Sequence, residues 1–334
     1  MESSLKTLLI SAEDQKIIMV GRLKDAISVV ETAFMSKISG NIVLPDKISI
    51  VFNEETQNRI NCMPAALLED RIYGVKWVSV FPNNPKHGLR NVSGTMTLSE
   101  LEHGQTLSIM DAGYLTEIRT AAVGAVAAKY LSRENSESIG FIGAGHQARR
   151  HLEMIKEVRP SLKKCYVSSR TQTTVNDFIL EERLLHPEME FIACGNSYES
   201  AVCDADIIVT AISGQEDLLK ARWIKSGALY IHVAGWEDEY AVAKKADKIV
   251  CDDWESVKHR TQTISRMYKE GLLSDTDIYG DLEEIIAGKK AGRNKEEEFI
   301  YFCSVGLAFI DVSFANYFFT RCNEMNLGTK YSFS

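Results

Sequence analysis

The chain has 334 residues, 45% of them hydrophobic and 25% charged, the make-up of a folded soluble protein with room for two domains rather than one. Lys plus Arg number 38 against 46 for Asp plus Glu, and the net charge of −8 leaves no broad basic face for nucleic acid or an anionic membrane. Seven cysteines, an odd number without paired metal-ligand spacing, argue against a disulfide framework and for a reducing compartment.

The opening stretch, MESSLKTLLISAEDQK, lacks a basic region followed by a long apolar core, so no secretory signal is expected. Apolar runs are broken by charges before they reach the roughly 20 residues that span a bilayer, and cytoplasm is the expected location. Helical spacing runs over residues 26–38, followed by β-like segments at 46–52, 73–79 and 94–98. The turn formers Pro82-Asn83-Asn84-Pro85 separate two of these, and Glu102-His103-Gly104 closes another, so the first 115 residues read as α+β.

At 115–131 the composition shifts to LTEIRTAAVGAVAAKYL, a helix of small side chains suited to close packing. Short apolar strands then alternate with helix-length stretches at 138–142, 164–168, 190–193, 206–210, 228–233 and 248–251. That order predicts an α/β fold with a doubly wound parallel sheet. The charges of KKAGRNKEEE at 289–298 change sign within a few residues and read as an exposed turn. A strand at 298–304 and a helix over 305–319 complete the chain.

The strongest local motif is SIGFIGAGHQARRHLEMIKEV, where Gly143, Gly145 and Ala148 form GxGxxA between an apolar strand and a helix. Gly143 permits the tight turn, Gly145 lets backbone approach a pyrophosphate, and Ala148 allows helix–sheet contact beneath unpaired helix amides. Ala144, His146 and Gln147 complete the turn of a dinucleotide site. Arg149 and Arg150 could neutralise phosphate or be solvated helix residues. The next strand ends in Ser169-Arg170-Thr171 without the acid that usually meets an NAD ribose, and Arg170 among hydroxyls suits a ribose phosphate. Both NAD and NADP fit, with NADP favoured. Thr210 and His232 are further candidates for the dinucleotide's surroundings, although His232 in its apolar context reads equally as a packed side chain. No set of His, Cys and carboxylates supplies a metal site, and Ser93 and Ser304 lack a nucleophile's partners.

The ordered segments GVKWV, LTEIRTAAVGAVAAKYL, GAGHQA and DIIVTAIS together resemble the ornithine cyclodeaminase/mu-crystallin family along nearly the whole chain. The resemblance implies a homodimer. Each subunit would have a substrate and dimerisation domain at 1–118, completed by 312–334 and of mixed α+β structure, and a Rossmann-type nicotinamide-binding domain at 119–311. It implies oxidation of small amino acids or reduction of imines, or transient oxidation coupled to ring closure. GVKWVSVFPNNP, RNVSG, DDWESVKHR and GDLEEIIAGKKAGR are similar to the branch that forms diaminopropionate for siderophores. That branch oxidises N-(2-amino-2-carboxyethyl)-L-glutamate and hydrolyses the imine to 2,3-diaminopropionate and 2-oxoglutarate. Alternatives are an NADPH-dependent imine reductase or other amino-acid dehydrogenase, an ornithine cyclodeaminase, and a non-catalytic ligand-binding protein.

In this resemblance Lys76 matches a substrate-site lysine, able to anchor a carboxylate or move a proton, and Arg119 matches the arginine that grips the α-carboxylate. Lys47 stands near the position of another cationic ligand, Arg59 competes for that role, and Arg90 is a candidate for a second carboxylate. Glu237 is the preferred proton-handling carboxylate and Asp238 the alternative, in a segment that could equally begin a helix.

Overall fold

The computed structural model describes residues 6–53, 55–212, 215–233 and 235–333, so residues 1–5 and Ser213, in two of the segments quoted above, lie outside the described residues. The chain divides into two units, Met1–Arg119 with Leu307–Ser334, and Thr120–Gly306. In chain order the first contributes β1 (Thr7–Ile10), α1 (Ala12–Met19), α2 (Leu23–Ile38), β2 (Ile42–Val43), β3 (Ile48–Asn53), β4 (Asn58–Leu67), β5 (Ile72–Val80), β6 (Val92–Glu100) and β7 (Thr106–Asp111). Helix α3 (Ala112–Leu131) starts in this unit and continues into the second.

The second unit holds β8 (Ser138–Ile142), α4 (His146–Val158), β9 (Lys164–Ser168), α5 (Gln172–Leu185), β10 (Glu190–Gly195), α6 (Tyr198–Val202), β11 (Ile207–Thr210) and β12 (Leu229–His232). It continues with α7 (Tyr240–Lys245), β13 (Lys248–Cys251), α8 (Trp254–Val257), α9 (Thr263–Lys269), β14 (Gly280–Asp281), α10 (Leu282–Ile286) and β15 (Ile300–Cys303). The chain then returns to the first unit as α11 (Ala308–Met325) and β16 (Thr329–Tyr331).

Local chemistry sets several boundaries. Ser11 caps α1 by accepting from the Asp14 amide while the Asp14 carboxylate accepts from the Ser11 amide. Asp111 accepts from the Tyr114 amide at 2.8 Å, which starts α3 three residues ahead of the expected helix. Along α2 the spacing of Ala26, Val30, Ala33 and Phe34 makes one buried stripe.

In the first unit the strand order is β16-β1-β7-β6-β5-β4-β2, with β3 also on β4, and every pairing is antiparallel except β1 with β7. Period-2 alternation turns Met63, Ala65, Ile72, Lys76, Val78, Met96 and Leu98 to the face covered by α11. The other face leaves Ile48, Ile50, Tyr73 and Trp77 exposed. Strand β4 has no counterpart among the expected segments, because its centre holds Pro64, which cannot donate to a ladder. The fold tolerates it where β4 lies between its pairing with β3, which ends at Cys62, and with β2, which begins at Ala66.

The second sheet is wholly parallel, in the order β10-β9-β8-β11-β12-β15-β13-β14. The chain winds outward from β8 through β9 and β10, then resumes on the other side at β11, the Rossmann-type arrangement whose order reverses beside β8. Every residue of β8, β11, β12, β13 and β15 is buried, as expected for strands covered on both faces. Gly140 is required by packing, since a Cβ there would lie 2.0 Å from the Ala201 carbonyl oxygen. Helix α11 begins three residues later than expected, because the Val305 and Gly306 amides bond the Asp252 carboxylate and Gly306 adopts φ +76°. Among the described residues no helix is long and apolar enough to cross a membrane.

Candidate active site

Three elements of the first unit meet around one buried carboxylate. Strand β5 carries Lys76 on the covered face, α3 carries Thr116 and Arg119 about one turn apart, and α11 carries Asp311 in its first turn. The Lys76 Nζ lies 2.7 Å from Asp311 Oδ1 and 3.4 Å from Thr116 Oγ1, and Arg119 Nε lies 2.9 Å from the same Oδ1. Lys76 and Asp311 have 1% and 0% of their side chains exposed and Arg119 has 8%. Burial, and next the Arg119 charge, pull the Lys76 pKa down to about 8 against the opposing pull of Asp311. The guanidinium Nη1 and Nη2 of Arg119 hydrogen-bond no described residue, which leaves a forked donor beside a lysine. Such a pair suits a carboxylate.

Asp311 is absent from the residues singled out in the sequence. Its signal is an acid inside the apolar run AFIDVSF, where a buried charge demands a partner. The other expected substrate ligands lie apart from this trio. Lys47 is half-buried just ahead of β3. Arg59 donates to the Gln57 carbonyl at 3.1 Å, and burial lowers its pKa. Arg90 is half-exposed, with Nη1 3.8 Å from Glu117 Oε1 on α3.

In the second unit the loop after β8 has the shape a dinucleotide needs. Gly143 sits at φ +102°, where a Cβ would come within 2.7 Å of the Ala211 oxygen. Gly145 faces open space, with nothing within 4 Å of an ideal Cβ, and it precedes α4 without a side-chain cap. Ala144 and Ala148 are buried, His146 is exposed and Gln147 half-buried. Arg149 ties the loop by donating to the Ala144 carbonyl and pairing with Glu181, both at 2.8 Å, and Arg150 pairs with Glu153. At the end of β9, Ser169 is half-buried with its amide on Gly195, Thr171 caps α5, and Arg170 is exposed without a partner among the described residues.

Thr210, His232, Glu237 and Asp238 come together, but inward, and all four are 0% exposed. Thr210 donates to Glu237 Oε2 and shares a 2.9 Å hydrogen bond with the Tyr230 hydroxyl, and the Ile212 amide donates to Glu237 Oε1 at 3.0 Å. Asp238 Oδ1 accepts from Thr263 at 2.7 Å, Tyr301 at 3.2 Å and Tyr230 at 3.4 Å. Burial, with the Glu237 charge adding to it, raises the Asp238 pKa to about 8. Burial pushes His232 down to about 4, so its imidazole is neutral at pH 7, with Nδ1 3.1 Å from the Tyr301 hydroxyl.

Sequence reasoning also passed over Asp252, a buried carboxylate that accepts from Ser304 Oγ and the Val305 and Gly306 amides at 2.9–3.1 Å. Ser304 thus serves a loop, its hydroxyl donating to the same Asp252 oxygen as the two loop amides. Among the described residues no group of three or more His, Cys, Asp or Glu is placed to hold a metal ion.

Comparison with known proteins accounts for both units. Residues 10–326 match the model of the ornithine cyclodeaminase/mu-crystallin family. The Δ1-pyrroline-2-carboxylate reductase of Thermococcus litoralis, solved with NADH and L-proline, superposes with a TM-score of 0.91 at 31% identity, covering 97% of this chain and 99% of that one. An archaeal alanine dehydrogenase dimer with bound NAD gives 0.88 at 31% identity over 98% and 100%. The N-((2S)-2-amino-2-carboxyethyl)-L-glutamate dehydrogenase of Staphylococcus aureus is 27% identical over 83% of each chain. With nearly its whole length matched by enzymes of this kind, the chain belongs to the ornithine cyclodeaminase/mu-crystallin family and is one of its oxidoreductases.

Proposed function

We propose that this protein moves a hydride between the α-carbon of an amino or imino acid and a nicotinamide dinucleotide, and that its substrate is N-(2-amino-2-carboxyethyl)-L-glutamate. The observation that carries the reading is the buried Lys76–Asp311–Arg119 cluster, with a forked cation ready for an α-carboxylate. The second unit fits the cofactor. Gly143 and Gly145 leave backbone open to a pyrophosphate, and the uncapped amides at the start of α4 favour its charge. When bound, the dinucleotide takes up or returns the hydride at the α-carbon.

Arg119 grips the substrate carboxylate and fixes the α-carbon in place. The neutral form of Lys76, accessible with a pKa of about 8, takes the proton from the substrate's secondary amine, so that the nitrogen lone pair forms the C=N bond as hydride departs. Water then adds to the imine carbon, and the C–N bond breaks to give 2-oxoglutarate and 2,3-diaminopropionate. Arg90 is the residue assigned to a further carboxylate, being half-exposed beside α3. Glu237 and Asp238 have no exposed surface, and in this reading they hold the loops after β11 and β12 rather than touch substrate. The Staphylococcus aureus relative supports the choice of substrate. A second reading, reduction of a cyclic imine such as Δ1-pyrroline-2-carboxylate, is favoured by the greater identity to the Thermococcus litoralis enzyme over the full chain.

The unpartnered Arg170 beside two hydroxyl residues favours NADP over NAD in this protein, although the two solved relatives carry NADH and NAD. A homodimer is supported by the dimeric archaeal relative and by the exposed apolar face of β3–β5, which presents Ile48, Ile50, Tyr73 and Trp77.

Sedimentation equilibrium at micromolar concentration should give twice the chain mass, and a monomer there contradicts the dimer. Arg170→Ala should weaken NADPH binding about tenfold, the loss of one charge-assisted contact, while sparing NADH; equal effects in fluorescence titrations would remove the assignment. Because a charged Lys76 assists carboxylate binding, KM should rise as pH increases through about 8. Lys76→Met should flatten that rise and lower kcat/KM at least about tenfold. The deciding assay supplies N-(2-amino-2-carboxyethyl)-L-glutamate with NAD or NADP and follows cofactor reduction with mass analysis of products. Formation of 2,3-diaminopropionate and 2-oxoglutarate sustains the lead reading, while turnover only of Δ1-pyrroline-2-carboxylate with reduced cofactor establishes the second.

A further inference from the structure

Two cations and one carboxylate at the heart of the first unit sum to a charge of +1 when Lys76 is protonated. Asp311 Oδ1 is the atom both cations share, at 2.7 Å from Lys76 Nζ and 2.9 Å from Arg119 Nε. With Nε turned to Asp311 as an ion pair, the terminal nitrogens of Arg119, which hydrogen-bond no described residue, are the part of the fork placed to take a ligand. Directly beside Lys76 in the sheet stand two uncharged residues, its register partners Met63 on β4 and Met96 on β6. Resting on the carboxylate-binding role proposed above, we infer that Asp311 is a positioning and specificity-determining residue: it orients Arg119 and cancels one of the two positive charges, so that this subsite accepts a single carboxylate.

The physical reason lies in desolvation. A carboxylate entering a buried site gives up its hydration and must be compensated there, and a surplus of either sign is costly where water cannot screen it. With Asp311 present, one monoanion neutralises the cluster. With Asp311 uncharged, Lys76 and Arg119 face each other at +2 for as long as the lysine keeps its proton, and a dianion balances that state better. The same change removes the carboxylate charge that raises the Lys76 pKa and leaves Thr116 as a neutral partner, so lysine should lose its proton at lower pH. Asp311 does all this from a position with no exposed surface, acting through the two cations and touching no substrate.

The test uses full-length protein with saturating NADH or NADPH and isothermal titration with two probes, pyrrole-2-carboxylate and pyrrole-2,5-dicarboxylate, between pH 6.5 and 9.5. Wild type should prefer the monoanion and lose affinity as pH rises through about 8. At pH 6.5, where Lys76 is still largely protonated, Asp311→Asn should shift the monoanion-to-dianion affinity ratio at least about fivefold toward the dianion, and across the pH range it should move the alkaline loss at least about one pH unit lower. Asp311→Glu should restore both toward wild type. A merely structural role would alter neither charge preference nor the pH of the loss, so a folded Asp311→Asn protein with both unchanged overturns the inference. Should that variant fail to fold, Lys76→Met with Asp311→Asn keeps the net charge at +1 through Arg119. Monoanion preference without an alkaline loss then supports the inference, and dianion preference overturns it. Wild-type protein that binds neither probe would sink the carboxylate site itself, a different failure from an unchanged variant.

Discussion

Taking an isolated lysine, arginine or aspartate out of water costs several kcal/mol per ion, and the first unit does it with all three at once. It succeeds because Lys76, Arg119 and Asp311 come from widely separated parts of the sequence and converge on a single carboxylate oxygen. Each ion is tolerable only in the presence of the others, so β5, α3 and α11 are bound to one arrangement more strictly than apolar packing alone would require. The apolar residues around them supply most of the burial. The charges decide which register of that burial is acceptable, and they leave the terminal nitrogens of Arg119 without a hydrogen bond to any described residue.

The second unit uses acidic side chains differently. Asp252 gathers the Val305 and Gly306 amides, Glu237 holds the Ile212 amide, and Asp206 receives the Glu137 and Ser138 amides at the start of β8. These carboxylates do for loops what ladder partners do for strands, satisfying buried donors that would otherwise be orphaned. This is why acids in the second unit are poor guides to chemistry when read as residue types. Glu237 and Asp238 stand beside a segment that invites a catalytic reading, yet both are sealed among Thr210, Tyr230, Thr263 and Tyr301.

What could be read from the sequence follows from which interactions are local. The run of Gly143, Gly145 and Ala148 encodes a turn, an approach and a packing contact within a few residues, and buried parallel strands declare themselves as short apolar runs. Lys76 and Arg119 gain their meaning from the ordered segments shared with a family, since neither has a local pattern that separates it from a surface cation. Asp311 was hidden because its partners lie on β5 and α3, and β4 was hidden because Pro64 is acceptable only in a gap that pairing with β2 and β3 creates. In both cases the deciding fact is long-range.

The first unit is written in two pieces of chain, with the whole second unit between them. During synthesis β1 and β7 can pair early, but the covered face of their sheet stays bare, and Lys76 stays without its counter-ion, until α11 emerges near the end. The second unit has every strand of its sheet before that moment. Domains fold as units in the order they leave the ribosome, so the dinucleotide fold should be complete while its neighbour still waits for its last helix. A chain cut short after residue 306 would therefore carry an intact dinucleotide fold and a sheet whose apolar face is bare and whose Lys76 lacks its counter-ion, a species for the cell's quality control rather than a weaker enzyme.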